Sequence, residues 1–421
     1  MEYLRLFENH SDYENFVDNE IMPKPNVSHC VQENDVHYNE YIDYSKFYFT
    51  FESLEDNNTI YFRTNNTATT KTISVSTDDG ETWTEYTSST GGSGTTIATL
   101  NNGDKLLLKG NNAAYGNSSY SSRFNSSKNF NAYGNIMSLV SGDSFENATE
   151  LTSNNNFLNL FRNCSGLISA ENLILSALIL TENCYKQMFD TCTNLKNGPK
   201  ILATTFAMFS CRYMFYDCAS LKNVQFLSAT TMGYACCQEM FRGCTSLTTA
   251  PELPATTLAV SCYNSMFMGC TSLTTVPELP ATTLTENCYE YMFQDCTSLI
   301  AAPKLPATTL AADCYENMFE GCTSLTTAPE LSATTLANGC YQYMFKGCTS
   351  LTTPPELPAT TLAAWCYANM FSGCTSLTSV ATVPNSVKPV SSNYCCGTYY
   401  NTSVTQSSDY DESAYELCDE S

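Results

Sequence analysis

Residues 270–295 read CTSLTTVPELPATTLTENCYEYMFQD, and variants of this 26-residue unit fill the C-terminal half of the chain. The period is clearest in one series of cysteines: Cys218, Cys244, Cys270, Cys296, Cys322, Cys348 and Cys374. Methionine and leucine positions, such as Met266 and Leu273, recur with the same step. A fixed period of this length is typical of solenoids, whose repeats bury apolar side chains against neighbouring repeats. The spacing therefore predicts a stack of similar repeats.

The second half of the unit carries apolar residues at four-residue spacing. These residues are Leu284, Cys288 and Met292, with Tyr289 and Phe293 beside them. Such spacing places them on one stripe of an α-helix. Thr283 can cap the start of that helix, and Glu286, three residues later, completes a capping box. Glycine at the other end, as in Gly269, tolerates the left-handed geometry that ends a helix. The sequence thus predicts one helix per repeat.

The first half of the unit, residues 273–279, is predicted to be extended. Pro277 limits this part because proline cannot donate a hydrogen bond to a β-ladder. We expect a short parallel strand or an irregular β-bridge in each repeat. The predicted fold class is therefore an α/β repeat solenoid of the leucine-rich type, with a helix and a short strand in every 26-residue repeat.

Cysteine is unusually frequent, with 22 residues in the chain and 18 of them from Cys164 to Cys374. Because most of the 18 follow the repeat, free buried thiols stacked in columns are the favoured interpretation. Disulfides within a repeat, such as Cys262–Cys270, are the alternative. Metal binding is weaker still, because no histidine lies within the array.

The part of the chain before the repeats divides into two regions. Phenylalanines alternate in residues 47–51, and ISVSTDDGETW at 73–83 reads as strand, hairpin turn and strand. Short alternating strands at this spacing predict a small antiparallel β-sandwich. The predicted organisation is an extended N-terminal arm at 1–45, the sandwich at 46–128, the solenoid at 129–385, and a C-terminal cap with an acidic tail at 386–421.

The charge of the chain excludes some partners. It has 19 Lys and Arg residues against 42 Asp and Glu residues, for a net charge of −23. A nucleic-acid-binding protein needs a basic face to neutralise phosphates, so nucleic acid is not an expected partner. No apolar stretch is long enough to span a bilayer, so membrane insertion is not expected either.

Catalytic chemistry has little support in the sequence. The three histidines, His10, His29 and His37, lie in the arm, and their spacing with Cys30 matches no zinc pattern. The run DDGE at 78–81 lacks the carboxylate spacing of a calcium loop and reads as a hairpin turn. We predict no catalytic, metal-binding or cofactor-binding residues. A glycan-active enzyme is the least favoured hypothesis, because no pair of acidic residues stands out.

One charged column runs beside the predicted strands. Its members are Glu252, Glu278, Lys304, Glu330 and Glu356. Carboxylates stacked about 5 Å apart repel one another unless water or a cation screens them. A solvated edge is the favoured interpretation, and a ladder that is bridged by cations or faces a ligand is the alternative.

The stretch MFMGCTSLTTVPELPATTL at 266–284 resembles the BspA-type leucine-rich repeats, with methionine at a position where that family commonly has alanine. GNIMSL at 134–139 and the hairpin at 73–83 are similar to proteins of gut Bacteroidales and their crAss-like phages, in which a small β domain precedes these repeats. PNVSHCVQENDVHYN at 25–39 resembles N-terminal segments in the same group. The resemblance covers nearly the whole chain and implies a surface or appendage protein. It is specific for fold and weak for function.

The N-terminal residues MEYLRLFENHSDYENF contain no basic region followed by an apolar one, so no secretory signal peptide is predicted. A cell-surface adhesin must cross a membrane, whereas a phage structural protein is released by lysis. Together with the resemblance, this favours a virion protein made in the host cytoplasm, such as a head or tail fibre or a decoration protein, that adheres to a host surface glycan or protein. A bacterial cell-surface leucine-rich repeat adhesin is the alternative.

The hypothesis assigns two sets of residues. The arm would dock onto other virion proteins through Pro23, Pro25, Asn26, His29, Cys30, His37 and Tyr38. The repeats differ from one another mainly on the predicted helix and its flanks, where the candidate ligand contacts are Tyr291, Tyr343, Trp365, Glu290 and Gln342. Sequence drift on an unconstrained surface is the alternative. Phage fibres are commonly trimers, and this analogy alone gives a homo-oligomer as the expected assembly.

Overall fold

The computed structural model of the protein describes residues 42–65, 70–90, 92–117, 120–224 and 227–379. It also gives the backbone of four short strands nearer the N-terminus: β1 (Leu4–Arg5), β2 (Cys30–Glu33), β3 (Val36–Asn39) and β4 (Tyr41–Ile42). β1 pairs with β4, and β2 forms an antiparallel hairpin with β3, so part of the predicted extended arm is a hairpin. The predicted C-terminal cap and tail lie outside the described residues.

Alternating apolar residues form the strands of a β-sandwich. The strands are β5 (Phe49–Ser53), β6 (Asn58–Thr64), β7 (Thr72–Ser76), β8 (Thr84–Thr87), β9 (Thr95–Leu100), β10 (Lys105–Lys109), β11 (Ser122–Ser126) and β12 (Phe130–Asn135). One sheet contains the order β12-β5-β10-β7-β8, and the other is β11-β6-β9. β7 and β8 form the predicted hairpin. The turn at 102–103 connects β9 in one sheet to β10 in the other.

Phenylalanines fill the space between the two sheets. Phe51 of one sheet and Phe62 of the other both contact Phe124, with ring centroids 5.2 Å and 4.9 Å apart. All three side chains are fully buried. Since period-two alternation sends every second side chain inwards, the same pattern that predicts these strands also selects their core.

The sandwich and the solenoid share a sheet. β12 pairs antiparallel with β5 on one side and parallel with β13 (Leu167–Ser169) and β14 (Leu173–Leu175) on the other. β14 then pairs with β15 (Lys200–Ile201) of the next repeat. Gly134 permits the close approach of β12 to the residues before β5, because a Cβ there would clash with the carbonyl oxygen of Tyr48. The sandwich therefore covers the N-terminal end of the solenoid.

The predicted helix in each repeat is wrong. Among the described residues the only α-helix is α1 (Ser138–Ser141), which precedes the first repeat. The segment predicted to be helical is a run of tight turns in which every fourth residue has a positive φ, as at Asn287 (55°), Tyr291 (55°) and Asp295 (58°). The fold class is consequently a solenoid of short strands, isolated β-bridges and turns, without a helix per repeat.

Backbone hydrogen bonds explain why these turns replace a helix. The amides of Cys288 and Met292 donate to carbonyls three residues earlier in the same repeat. The amides of Tyr289 and Phe293 donate instead to Cys314 and Met318 in the next repeat, over 3.1 Å and 2.9 Å. An α-helix would satisfy all of these amides internally and leave none for the neighbour. Alternate amides therefore join the repeats.

The four-residue spacing itself distinguishes the two structures. Successive α-helical residues are about 100° apart, so a strict four-residue spacing drifts by roughly 40° at each step. An amphipathic helix corrects this drift with apolar residues at three-residue steps, but here those positions hold Asn287 and Tyr291. The predicted capping box is also wrong. Thr283 forms a parallel bridge with Thr309 of the next repeat, and Glu286 is exposed.

The extended half of the repeat forms β-bridges, as predicted. Most repeats are joined by isolated parallel bridges between threonines, such as Thr249 with Thr275 and Thr327 with Thr353. Short strands replace them in the first repeats, where β14 pairs with β15 and β16 (Thr205–Phe206) pairs with β17 (Thr231–Met232). In the later repeats a proline between the two bridge positions, such as Pro277, keeps them from merging into one strand.

The apolar columns stack with a constant step. The phenylalanine rings from Phe161 to Phe371 are nearly parallel, with centroids 5.3–5.8 Å apart. A second column of stacked rings runs from Tyr263 to Tyr367. At the other end, Phe161 lies 6.0 Å from Phe124, so the solenoid core continues into the core of the sandwich.

The eighteen cysteines from Cys164 to Cys374 are free and buried, as predicted. One column does more than fill space. The Cys270 thiol donates to the carbonyl oxygen of Phe241 in the preceding repeat over 3.1 Å, and the Cys296 thiol donates to Phe267 over 3.2 Å. Burial raises the pKa of Cys270 to about 12, so this thiol stays protonated and able to donate.

The turn face of the solenoid as a candidate binding surface

We call the turn face the surface formed by the outward side chains of residues 182–191 and of the equivalent ten residues in each later repeat, up to 364–373. The tight turns hold their Cys, Tyr, Met and Phe columns inside, and most of the remaining positions are half-buried or exposed. One position of the turns reads, along the stack, Lys186, Arg212, Gln238, Asn264, Glu290, Glu316, Gln342 and Ala368. Asn264 and Ala368 are buried, and the other six are half-buried. A constant backbone therefore displays different chemistry at most levels.

The structure places all five predicted contact residues on the turn face. Glu290 and Gln342 share the position just described, two repeats apart, and Tyr291 and Tyr343 share the next one. Trp365 lies one repeat beyond Tyr343 and is 44% exposed, whereas the two tyrosines are half-buried. The five residues thus occupy one side of the solenoid without forming a single cluster, and their role as contacts remains a prediction.

Acidic side chains gather on the turn face at residues 286–320. Glu320 accepts hydrogen bonds from Gln294 and Asn317 and pairs with Lys346 at 2.9 Å. Glu290 accepts a hydrogen bond from Asn287 over 2.9 Å. These amides hold the carboxylates in place while leaving the group with a negative charge.

Glu316 is the most perturbed member of this acidic group. Burial raises its pKa to about 7, and the negative charges of Glu290, Asp313 and Glu320 add to the effect. Burial likewise raises the pKa of Glu290 and of Asp313. Burial and the neighbouring carboxylates also raise the pKa of the Tyr291 hydroxyl to about 12, so this phenol is neutral across the physiological range.

In the repeats nearer the sandwich, the turn face carries arginines that lie over aromatic rings. The Arg212 guanidinium lies over the rings of Phe209 and Tyr213, 5.0 Å and 4.7 Å from their centroids. Arg242 lies over the ring of Tyr216 and pairs with Glu239 at 2.7 Å. The sequence prediction missed Phe209, Arg212 and Tyr213, although they occupy the same repeat positions as Trp365, Glu290 and Tyr291. Aligning every repeat would have identified them.

The opposite side of the repeats, which we call the strand face, varies less. The charged column that includes Glu252, Glu278 and Lys304 is exposed there, on the extended half of each repeat. A cavity of about 540 Å³ on this face is lined by Val224, Val276 and several prolines, together with carboxylates of the column. Whether cations bridge the column stays an open alternative.

Most of the predicted docking residues lie outside the residues that the structure describes. Pro23, Pro25, Asn26 and His29 lie outside the described residues. Backbone positions alone are described for Cys30, His37 and Tyr38, where the β2–β3 hairpin pairs Cys30 with Asn39, His37 with Gln32, and Tyr38 with Val31.

Within the described ranges, no group of three or more His, Cys, Asp or Glu side chains lies close enough together to hold a metal ion. The same part of the chain contains no helix with the length and apolar character needed to cross a membrane.

Comparison with known proteins bears on the repeats. Six copies of the family described as BspA type leucine rich repeat region match residues 209–352 and 311–419. The matches together span residues 209–419, which is half of the chain, and they continue beyond residue 385, the predicted end of the solenoid. No curated protein and no solved structure matches the chain significantly. The chain belongs to the BspA-type leucine-rich repeat family.

Proposed function

We propose that this protein is an adhesion-type repeat protein that contacts a surface glycan or protein through the turn face of its solenoid. Membership of the BspA-type family suggests a surface or adhesion role at the coarse level. The finer proposal rests on the aromatic residues that the turn face carries at strained backbone positions.

Those aromatic residues are the observation that carries the proposal. Five of them adopt positive φ between 55° and 60°: Phe209, Tyr213, Tyr291, Tyr343 and Trp365. A left-handed conformation costs an L-residue roughly 1–2 kcal/mol, and bulky residues are rare in it. Glycine removes that strain, and the chain uses glycine at the last positive-φ position of most repeats, as in Gly269 and Gly347. Retaining large aromatic side chains where glycine is accepted nearby favours a contact role over drift.

Large aromatic side chains are also suited to this role. They bury extensive surface on binding while losing little side-chain entropy. The adjacent charged groups differ between repeats, basic beside Phe209 and acidic beside Tyr291. A partner that spans several repeats would therefore meet an ordered series of aromatic and charged groups, which supports selective binding.

The proposed setting is a virion, with residues 1–45 as the docking segment and a homotrimer as the assembly. Its support is the resemblance of the arm and the small β domain to proteins of crAss-like phages. A bacterial cell-surface adhesin is the alternative setting. Deletion of residues 1–45 tests the docking step: incorporation into particles should be lost, and unchanged incorporation contradicts docking through the arm.

The contact proposal is tested with the labelled full-length protein on cells of gut Bacteroidales and on arrays of glycans and proteins. A triple variant with Tyr291→Ser, Tyr343→Ser and Trp365→Ser should bind at least tenfold more weakly. The matched control is Ile300→Ser, which removes a 58% exposed apolar side chain from the strand face. Equal binding by the triple variant and the wild-type protein would refute the turn face as the contact surface.

A further inference from the structure

A second candidate site lies at the seam between the sandwich and the solenoid. A cleft of about 220 Å³, which we call the junction cleft, is formed by the outer face of β5, β10 and β12, by residues 42–47, and by residues 169–172 of the first repeat. Aromatic, charged and amide side chains line it together. None of its side chains was selected as a candidate in the sequence.

A row of polar residues forms the floor of the junction cleft. In the register of the sheet, Lys105 is opposite Glu52, Glu52 is opposite Asn131, and Asn131 is opposite Ser169. Directly opposed side chains on adjacent strands lie about 4.5–5.5 Å apart on the same face. The row therefore presents donors and acceptors side by side from four adjacent strands of the sheet.

Aromatic rings form another part of the cleft. The ring of Tyr44 meets Tyr133 edge-on at 5.6 Å and lies 5.7 Å from Phe47. These side chains are half-buried and lie on the outer side of the sheet, away from the sandwich core. Burial, with the nearby Glu52 carboxylate, raises the pKa of both Tyr44 and Tyr133, so both hydroxyls stay protonated and able to donate. An apolar ring surface thus stands beside a polar row.

The charges of the cleft indicate a neutral ligand. Glu52 faces Lys105 across the strand pair, and Glu171 interacts with the Lys200 ammonium, which burial would otherwise disfavour. Each carboxylate therefore has a lysine neighbour. An anionic ligand would meet two carboxylates, and a cationic ligand would have to compete with two lysines that are already present.

The size of the cleft sets the size of the ligand. Sites for drug-sized molecules have volumes of roughly 300–1,000 Å³, and the junction cleft is smaller than that range. Six-membered sugar rings offer an apolar C–H face for aromatic rings and hydroxyls for a row of mixed donors and acceptors. We propose that the junction cleft binds one neutral pyranose ring of a glycan. This site is independent of the turn face and of its proposed function.

The test is ligand-detected NMR by saturation transfer on the full-length protein. The probes are N-acetylglucosamine, methyl galactoside and methyl glucoside as neutral sugars, N-acetylneuraminic acid as an anion, and N-acetyl-lysine methyl ester as a cation. At least one neutral sugar should receive saturation, with little transfer to either charged probe. Transfer to no neutral sugar, or stronger transfer to a charged probe, overturns the proposal.

Three variants locate the site. Tyr133→Ala should weaken binding of the neutral sugar at least tenfold, and Glu52→Gln, which keeps the side-chain shape, at least fivefold. Tyr61→Ala is the matched control, because Tyr61 is also half-buried on an outer sheet face, on β6. Undiminished binding by Glu52→Gln with a native spectrum overturns the assignment, and this variant decides the matter if Tyr133→Ala fails to fold. Turn-face variants should leave sugar binding at the cleft unchanged, which separates this test from that of the adhesion proposal.

Discussion

Replacing Glu316 by glutamine should make the solenoid more stable above neutral pH and flatten its dependence on pH. The carboxyl of Glu316 has a pKa of about 7 in the folded protein, against 4.5 for an ordinary glutamate, with burial as the main cause. Between these two values the folded state keeps a proton that the unfolded state has lost. The free energy of unfolding therefore falls as the pH rises from about 4.5 to about 7, and the full penalty persists above that range.

The magnitude follows from the difference between the two pKa values. At about 1.36 kcal/mol per pKa unit, the upper limit is roughly 3 kcal/mol. Glu316 is only half-buried, however, and solvent screens its interactions with Glu290, Asp313 and Glu320. A discounted value of about 1–2 kcal/mol is therefore expected for Glu316→Gln at pH 8, and about zero at pH 4.

Urea denaturation at several values between pH 4 and pH 8, followed by circular dichroism, measures this effect. A reducing agent keeps the buried thiols free. Glu278→Gln is the matched control, because Glu278 is an exposed glutamate on the strand face, and its substitution should change the free energy of unfolding by less than about 0.5 kcal/mol. If Glu316→Gln and the wild-type protein lose stability in parallel between pH 5 and pH 7, the reasoning from burial is refuted.

Substitutions at three further positions test the architecture by chemical denaturation. Cys296→Ser keeps a donor to Phe267 and should cost less than Cys296→Ala, which removes the donor at about 1–2 kcal/mol; equal losses would deny the thiol hydrogen bond. Gly347→Ala should cost about 1 kcal/mol because its φ is +73°, and no loss would contradict the left-handed turn. Phe161→Ala should lower the free energy of unfolding by about 3–5 kcal/mol and make the seam between sandwich and solenoid sensitive to limited proteolysis. Unchanged resistance of the seam to proteolysis would show that the two cores are independent.

The sequence predicted those features that depend on local alternation or on a fixed period. Strand β5 follows from period-two alternation, the hairpin of β7 and β8 follows from its strand and turn pattern, and the stacked columns follow from the 26-residue period. Both signals report which side chains are buried, and burial is what the hydrophobic effect selects. The helix prediction failed because the partner of each alternate amide lies 25 residues away, in the next repeat. The sequence of a single repeat does not include the carbonyl group that accepts this hydrogen bond.

Two repeats contain compensating changes in side-chain size, which can be recognised only when the repeats are compared with one another. Cys211 and Cys237 replace the large tyrosine in two repeats. In the same repeats, Phe206 and Met232 replace the leucine that begins the turns. The Tyr263 hydroxyl contacts the sulfur of Met232 at 3.8 Å, so the longer side chain fills part of the space. Such swaps preserve core volume, which close packing requires.

The candidate sites were predictable to different degrees. Positions on the turn face could be identified, because differences among the repeats mark the outward side chains even when the secondary structure is misassigned. The junction cleft could not, since it requires the register that places Lys105, Glu52, Asn131 and Ser169 in one row from four separate strands. Pairing across a sheet is a long-range property that local pattern does not specify.

The three positive-φ positions of each repeat differ in the side chains that they carry. Each repeat has three positive-φ positions, and the last of them is usually glycine, at which a left-handed turn costs least. The first two positions instead keep side chains as large as those of Tyr291 and Trp365, although each such residue raises the energy of the folded state. The aligned rings and thiol hydrogen bonds of the interior stabilise every repeat in the same way, so the stack can tolerate that strain. A solenoid built from tight turns can therefore vary its outward residues while its core stays constant, and this freedom is what an adhesion surface requires.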